Sequence, residues 1–317
     1  MSTTTRTSTV TPAARAAHKA PRRSRVRLGG RLVPWLFASP WIIIFVVFMA
    51  APIIASLILS FTDFGIANVA NPFNLNFIGF RNYVQLAHDP DFIAAVLNTL
   101  EFVVIGIPLD VVLALLIAVG LNRGVGAFRA IFRVGYYLPV VTSIVAIAVV
   151  WRYLYDPDVG LINNVLHAVG LPGINWLGDP NLAMPSIIFM AVWHNLGGAM
   201  IIFLAGLQGI DKTLYEAAHI DGAGSFARFR YITLPLLQPT MLFVVVTTSI
   251  AFLQVFAEPF VMTGGGPLNR TLTVSMYLYQ QGFNYFNQGY ASAIAYVLFV
   301  AIAIVSLVQF RILRPQT

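Results

Sequence analysis

Long uninterrupted apolar runs, separated by shorter polar connections, dominate the chain. Six of them, at about 35–60, 92–120, 135–153, 182–207, 236–262 and 290–312, meet or approach the roughly 20 residues that cross a bilayer core as a helix. Apolar positions within them are continuous and do not alternate, and lipid offers no partner to an unpaired backbone group, so helices are the spanning form expected. The fold class predicted is all-α: a polytopic membrane protein with six transmembrane helices. Pro108, Pro139, Pro185 and Pro259 lie inside these runs or near their ends, as membrane helices permit. The outer connections, at about 62–91, 154–181 and 263–289, are long and rich in turn residues, Gly264-Gly-Gly-Pro267 among them.

Charge then sets the orientation. Residues 1–31 carry eight basic residues (Arg6, Arg15, Lys19, Arg22, Arg23, Arg25, Arg27, Arg31) and no acid. With six spans both ends share one side. That side collects the tail, then Arg123, Arg129 and Arg133, then Lys212, Arg228 and Arg230, and finally Arg311 and Arg314, against Arg81, Arg152 and Arg270 opposite. By the positive-inside rule both termini are cytoplasmic. Residues 1–31 read as a disordered basic cytoplasmic tail, with a transit peptide as the alternative of similar composition. Residues 32–317 read as the transmembrane domain.

Composition narrows the classes. The chain is 58% hydrophobic and 10% charged, with mean hydropathy +0.79, where soluble domains run near 25% charged. The net charge of +7 comes from the tail and argues for topogenesis, not nucleic-acid binding. There is no cysteine among the 317 residues, and the five histidines stand at no metal-ligand spacing, so no metal site and no catalytic residues are expected.

The connection between the fourth and fifth runs, 211–235, carries the most specific signal. Asp211 is placed to cap a short helix ending near Ile220. Gly222 or Gly224 is placed to end it in the left-handed conformation, and Ser225 to cap a second short helix that finishes before Pro235. Ala217 and Ala218 allow another surface to approach closely, with Glu216 beside them as a charge. Glu216-Ala217-Ala218, Gly222 and Ile232-x-Leu234-Pro235 stand at the spacing of the EAA loop, and the chain thereby resembles the permease subunits of ABC importers. Pro34-Trp-Leu-Phe-Ala-Ser-Pro40, Phe77-Ile-Gly-Phe-Arg-Asn-Tyr83, Trp151-Arg-Tyr-Leu-Tyr-Asp-Pro157, Asn175-Trp-Leu-Gly178 and Val261-Met-Thr-Gly-Gly-Gly-Pro267 extend the resemblance to the maltose-type carbohydrate permeases. The half resembled is the one corresponding to the larger maltose permease subunit, without its extra spans.

That resemblance implies an ABC importer type I permease architecture with the coupling loop at 209–235, in the bacterial inner membrane as a multi-pass protein. It also implies partners: a second homologous permease completing a heterodimer, two ATPase subunits seated on the loop, and an extracytoplasmic sugar-binding protein. ATP is then used by the partner ATPase and no cofactor is bound by this chain. The nearest approach to a phosphate-cradling loop, Gly206-x4-Asp211-Lys212-Thr213, has an acid where the second glycine belongs.

Polar residues at bilayer depth are candidates for the substrate path. Gln254 and Glu258, four apart, are expected on one helix face. His194 and Asn195 lie mid-run in the fourth segment, and Trp193 and Phe256 offer aromatic platforms for a sugar. Hydrogen bonding between helices is the alternative for all of these. Glu101 and Asp110, nine apart in the second run, fall on opposite faces and are expected to serve different places. An ion-driven transporter, a membrane-embedded enzyme and a channel are the competing classes, and the EAA pattern speaks against each.

Overall fold

The computed structural model describes residues 29–68, 75–123 and 129–313. The tail as far as residue 28, Arg314, and the side chains of Arg123 and Arg129, all part of the charge asymmetry, lie outside the described residues. The chain divides into two compact units, one through Ile53 and one from Ile54 onward. In the first, helix α1 (Gly29–Phe45) carries Pro34 and Pro40 and is followed by a π turn at Val46–Ala50. Helix α2 (Ala51–Leu59) continues the run.

The second unit begins within α2 and is helical almost throughout. It contains α3 (Arg81–His88), α4 (Pro90–Arg123), α5 (Arg129–Val141), α6 (Ile144–Leu154), α7 (Leu161–Ala168) and α8 (Ala183–Gln208). After these come α9 (Lys212–Ile220), α10 (Ser225–Arg228), α11 (Leu234–Leu236), α12 (Gln238–Leu253), α13 (Ala257–Met262), α14 (Val274–Tyr279) and α15 (Gln288–Ile312). Among the described residues there is no strand, only an isolated bridge between Thr62 and Phe77.

Four stretches are long and apolar enough to cross a membrane: Pro34–Leu59, Pro90–Asn122, Ala183–Gln208 and Gln288–Ile312. Two bent pairs qualify jointly, Ala130–Val141 with Ile144–Leu154 at 100° and Ser225–Leu236 with Gln238–Leu253 at 67°. Counting each pair as one span gives six by length and composition; the second pair, 225–253, begins ahead of the fifth apolar run at 236–262 and ends short of it. The first bend lies three residues beyond a proline. Pro139 closes α5 without an amide proton to donate. The Thr142 hydroxyl then takes the Leu138 carbonyl at 2.9 Å, and Ser143, with φ −57 and ψ 125, turns the chain into α6.

Helix α4 packs against α8 more extensively than any other pair, and small residues permit it. Ala114 and Ala118 of α4 and Ala199 of α8 are buried in the same cluster, with Met200, Phe203 and Leu237. Close approach of helix backbones at small residues is how membrane bundles gain packing energy where no hydrophobic effect is on offer. At Gly197 of α8 the limit is reached: any Cβ would overlap the Tyr136 carbonyl oxygen of α5.

The end of the bundle that carries the α13–α14 loop is tied by polar contacts. The Asp89 carboxyl accepts from the Asp91 amide at 3.0 Å and the Phe92 amide at 3.4 Å, which caps α4, and also accepts both the Tyr277 and Tyr290 hydroxyls. Burial pushes its pKa up, but the two hydroxyls and the two amides outweigh it and the net shift is down. Asn98 of α4 donates to the carbonyls of Asn269 (2.7 Å) and Leu272 (2.9 Å). Arg270 joins Glu101 at 3.5 Å and the Pro180 carbonyl at 3.3 Å. The loop between α13 and α14 is thus pinned to the bundle at several points.

The packing at Gly197 yields a direct expectation. Gly197→Leu should abolish the folded protein recovered in detergent, because α5 and α8 cannot both keep their places. Gly120→Ala, where an added Cβ meets nothing within 4 Å, should be neutral or stabilising by about 0.5–1 kcal/mol, read as an unchanged or raised Tm.

Candidate functional site

The loop that joins α8 to α12 is built by local rules. Asp211 has extended backbone and its carboxylate accepts the Thr213 amide at 2.9 Å, which caps α9. At the other end Gly222 adopts φ +78. The Ala223 amide reaches the Ala218 carbonyl at 2.9 Å and the Gly222 amide reaches that of His219 at 3.1 Å, the paired bonds of a Schellman termination. A glycine meets this geometry without the left-handed penalty of about 1–2 kcal/mol that a side chain carries. Glu216 and Ala217 are exposed on α9, whereas Ala218 is half-buried.

The second half of the loop departs from expectation in two ways. Gly224 precedes the helix and Ser225 is its first residue, with no side-chain cap, so Ser225 is not the N-cap. Nor does the helix finish before Pro235. A π turn at Phe229–Thr233, with the Leu234 amide bonded back to the Phe229 carbonyl, carries the chain into α11, which contains Leu234 and Pro235. Widening the helix by one residue just ahead of the proline avoids the clash its ring makes with a regular preceding turn. Ile232 and Leu234 are half-buried and Pro235 is exposed.

Two features fix this loop to the bundle. The Tyr215 and Thr233 hydroxyls lie 3.0 Å apart, joining α9 to the π turn. Behind them a recess of about 330 Å³ is lined by Val119 and Asn122 of α4, Leu207 of α8, Tyr215, Ser225, Arg228 and Thr233. The loop therefore rests on the ends of α4 and α8. Its outward side displays Leu214 at 45%, Ile220 at 86%, Phe226 at 79% and Tyr231 at 76% exposure.

The polar groups in the spans separate into distinct places. Asn195 of α8 donates its amide to Asp110 of α4 at 3.2 Å, and Asp110 is fully buried. Glu101 instead pairs with Arg270, so the two acids serve different sites, as their spacing predicts. His194 lies beside the backbone of Thr142 at the α5–α6 bend. Trp193 is 42% exposed and its ring lies 5.4 Å from that of Trp151. Trp151 also contacts Tyr155 and Phe189, and Tyr155 contacts Trp176. Phe256 belongs to another cluster, with Phe260 at 5.0 Å and Tyr279 at 5.3 Å.

Gln254 and Glu258 do not share one helix face. Helix α12 ends at Leu253 and α13 starts at Ala257. Pro259 has no amide proton for the Val255 carbonyl; the Thr273 hydroxyl takes that carbonyl instead, at 2.8 Å. Gln254 is exposed beside this break and Glu258 is half-buried in the first turn after it. The Asp110–Asn195 and Thr273–Val255 contacts join residues 85 and 18 apart, and no local pattern announces either.

Residues 94–316 match the family described as "Binding-protein-dependent transport system inner membrane component". The chain is 40% identical over 288 residues to the lactose transport system permease protein LacF of Rhizobium radiobacter, covering 89% of this chain and 94% of that one. It is 34% identical to the arabinooligosaccharides transport system permease protein AraP of Bacillus subtilis (strain 168), over 97% of this chain and 96% of the relative. A chain in the crystal structure of a bacterial ABC transporter involved in the import of the acidic polysaccharide alginate superposes with TM-score 0.76 at 27% identity, covering 92% of this chain and 99% of that one. A second alginate transporter structure, in complex with an alginate pentasaccharide-bound periplasmic protein, gives TM-score 0.75 with 91% and 97% covered, also at 27% identity. The match over most of the chain, the helical bundle and the capped loop between α8 and α12 agree: this protein belongs to the inner-membrane permease family of binding-protein-dependent ABC transport systems.

Proposed function

We propose that this chain is one permease half of an ATP-driven carbohydrate importer, and that the segment from Asp211 to Pro235 couples its spans to a separate ATPase. The observation that carries the reading is α9 itself. It is a short helix capped at both ends, joined to the bundle through Tyr215 and Thr233 and exposed along Glu216 and Ala217. Such an element moves as a unit when a partner pushes it. Carbohydrate as cargo is supported by relatives named for lactose and arabinooligosaccharides and by one named for trehalose and maltose.

The remaining parts follow from that role. A second, similar permease encloses the path with this one, two ATPase subunits dock below, and an extracytoplasmic sugar-binding protein delivers substrate above. Both termini and α9 face the cytoplasm of a bacterial cell, in keeping with the basic asymmetry. This chain holds no cofactor and breaks no bond; ATP is hydrolysed by the partner. Trp193, His194, Asn195, Gln254 and Glu258 supply the aromatic and hydrogen-bonding surface that a neutral polyol requires.

Orientation is tested by single cysteines in this cysteine-free chain. Ser225→Cys should resist impermeant thiol reagents in intact cells, whereas Leu268→Cys, at a side chain 86% exposed in the α13–α14 loop, should label. Labelling at position 225 from outside would reverse the topology.

Coupling is tested by Glu216→Lys and Gly222→Asp, both of which should leave the protein in the membrane. The first inverts a charge whose contact with a basic partner residue contributes about 1.5–3 kcal/mol. The second adds about 1–2 kcal/mol of left-handed strain and re-aims α9. Sugar uptake should fall at least tenfold, with loss of co-purified ATPase or hydrolysis uncoupled from uptake. Unchanged uptake and unchanged ATPase recovery in both variants would remove the coupling role.

A further inference from the structure

We infer that Asp110, at the contact of α4 with α8, is a positioning residue that sets which hydrogen-bonding group of Asn195 the permeating sugar meets. The inference rests on the reading of Asn195 as a residue of the substrate path. Asp110 is fully buried and its Oδ2 accepts the Asn195 Nδ2 proton at 3.2 Å. The oxygen that faces Asn195 is the acceptor of that contact, whereas an amide carries a donor on one side and an acceptor on the other. Facing Asp110 therefore forces the Asn195 nitrogen inward and turns its Oδ1 away from the carboxyl. Asn195 itself is only half-buried. What remains for a ligand is a fixed acceptor, suited to a sugar hydroxyl that donates.

Simple bundle cohesion explains Asp110 less well. Among the described residues its second oxygen, Oδ1, is buried without a hydrogen-bond partner, and no basic residue forms an ion pair with it. Thr248 of α12 is a second side chain that hydrogen-bonds the carboxyl. A buried carboxyl with no cation beside it is a poor device for holding helices together, since an apolar side chain of similar size serves as well or better. Its use is intelligible if it controls the orientation of a neighbour. An asparagine without such a neighbour has two amide orientations of similar energy and presents a donor as readily as an acceptor.

The test is a double-mutant cycle in the complete importer, with uptake of lactose, maltose, trehalose and arabinotriose measured in intact cells and the best wild-type substrate taken as probe. Asn195→Ala should raise KM about tenfold, the effect of losing one strong polar contact. Asp110→Leu should raise KM to a similar extent with the amount of membrane-inserted complex preserved. The double variant should be no worse than either single one, because both remove the same acceptor. Asp110→Asn, which keeps the shape but no longer dictates the amide's orientation, should raise KM by a few-fold and guards against a folding defect in the leucine variant. If Asn195→Ala leaves KM unchanged, the path reading falls and this inference with it. If Asn195→Ala raises KM while both Asp110 variants change only protein amount and maximal rate, or the two effects multiply, Asp110 merely packs and the inference alone is overturned.

Discussion

A carbonyl released inside a bilayer has no water to turn to, and that constraint bears on the breaks in this protein's helices. Unsatisfied backbone groups cost several kcal/mol each in hydrocarbon, and at two of the breaks a side-chain hydroxyl covers a freed carbonyl. Where Pro259 deprives the Val255 carbonyl, Thr273 supplies a hydroxyl. Where α5 ends near Pro139, Thr142 covers the Leu138 carbonyl. Outside the spans, ahead of Pro235, the chain widens into a π turn and re-registers its own hydrogen bonds. The broken helices are therefore defined geometries, and they give the permease corners at which a span can bend without exposing backbone.

A hydrogen bond and packing link the candidate coupling loop to the spans. The π turn before Pro235 positions Thr233, and Thr233 meets Tyr215 of α9. A displacement of α9 consequently reaches α11 and the 67° corner into α12 through a hydrogen bond and two rigid helical pieces. On the other side the α4–α8 pairing, close-packed around Ala114, Ala118 and Ala199, forms a stiff partner for that movement. Coupling through packed elements with two discrete arrangements requires this combination of stiff bodies and defined corners.

Local chemistry made part of the 211–235 loop legible in advance. Asp211 as a cap and Gly222, one of the two glycines offered, in the left-handed region are found in place, whereas Ser225 is not the cap. The all-helical, membrane-spanning character was equally readable, with four helices long and apolar enough to cross and two bent pairs that qualify jointly. Sequence reasoning failed where proline and distant residues act together. A shared face for Gln254 and Glu258 assumed a helix that Pro259 interrupts, and the proline's effect on Val255 was visible in principle four residues upstream. The pairing of Asp110 with Asn195 was beyond reach, because two polar residues 85 apart carry no mark of which span meets which.

The central claim is that α9 is the surface through which an ATPase drives the spans. It is tested most directly by disulfide trapping from Ala217→Cys, introduced into the cysteine-free chain, to single cysteines placed along the surface groove of the co-expressed ATPase. The account predicts rapid cross-linking in the assembled importer and uptake that stops on oxidation and returns on reduction. Absence of any cross-link in a transport-competent complex, or full uptake with the cross-link in place, would contradict it.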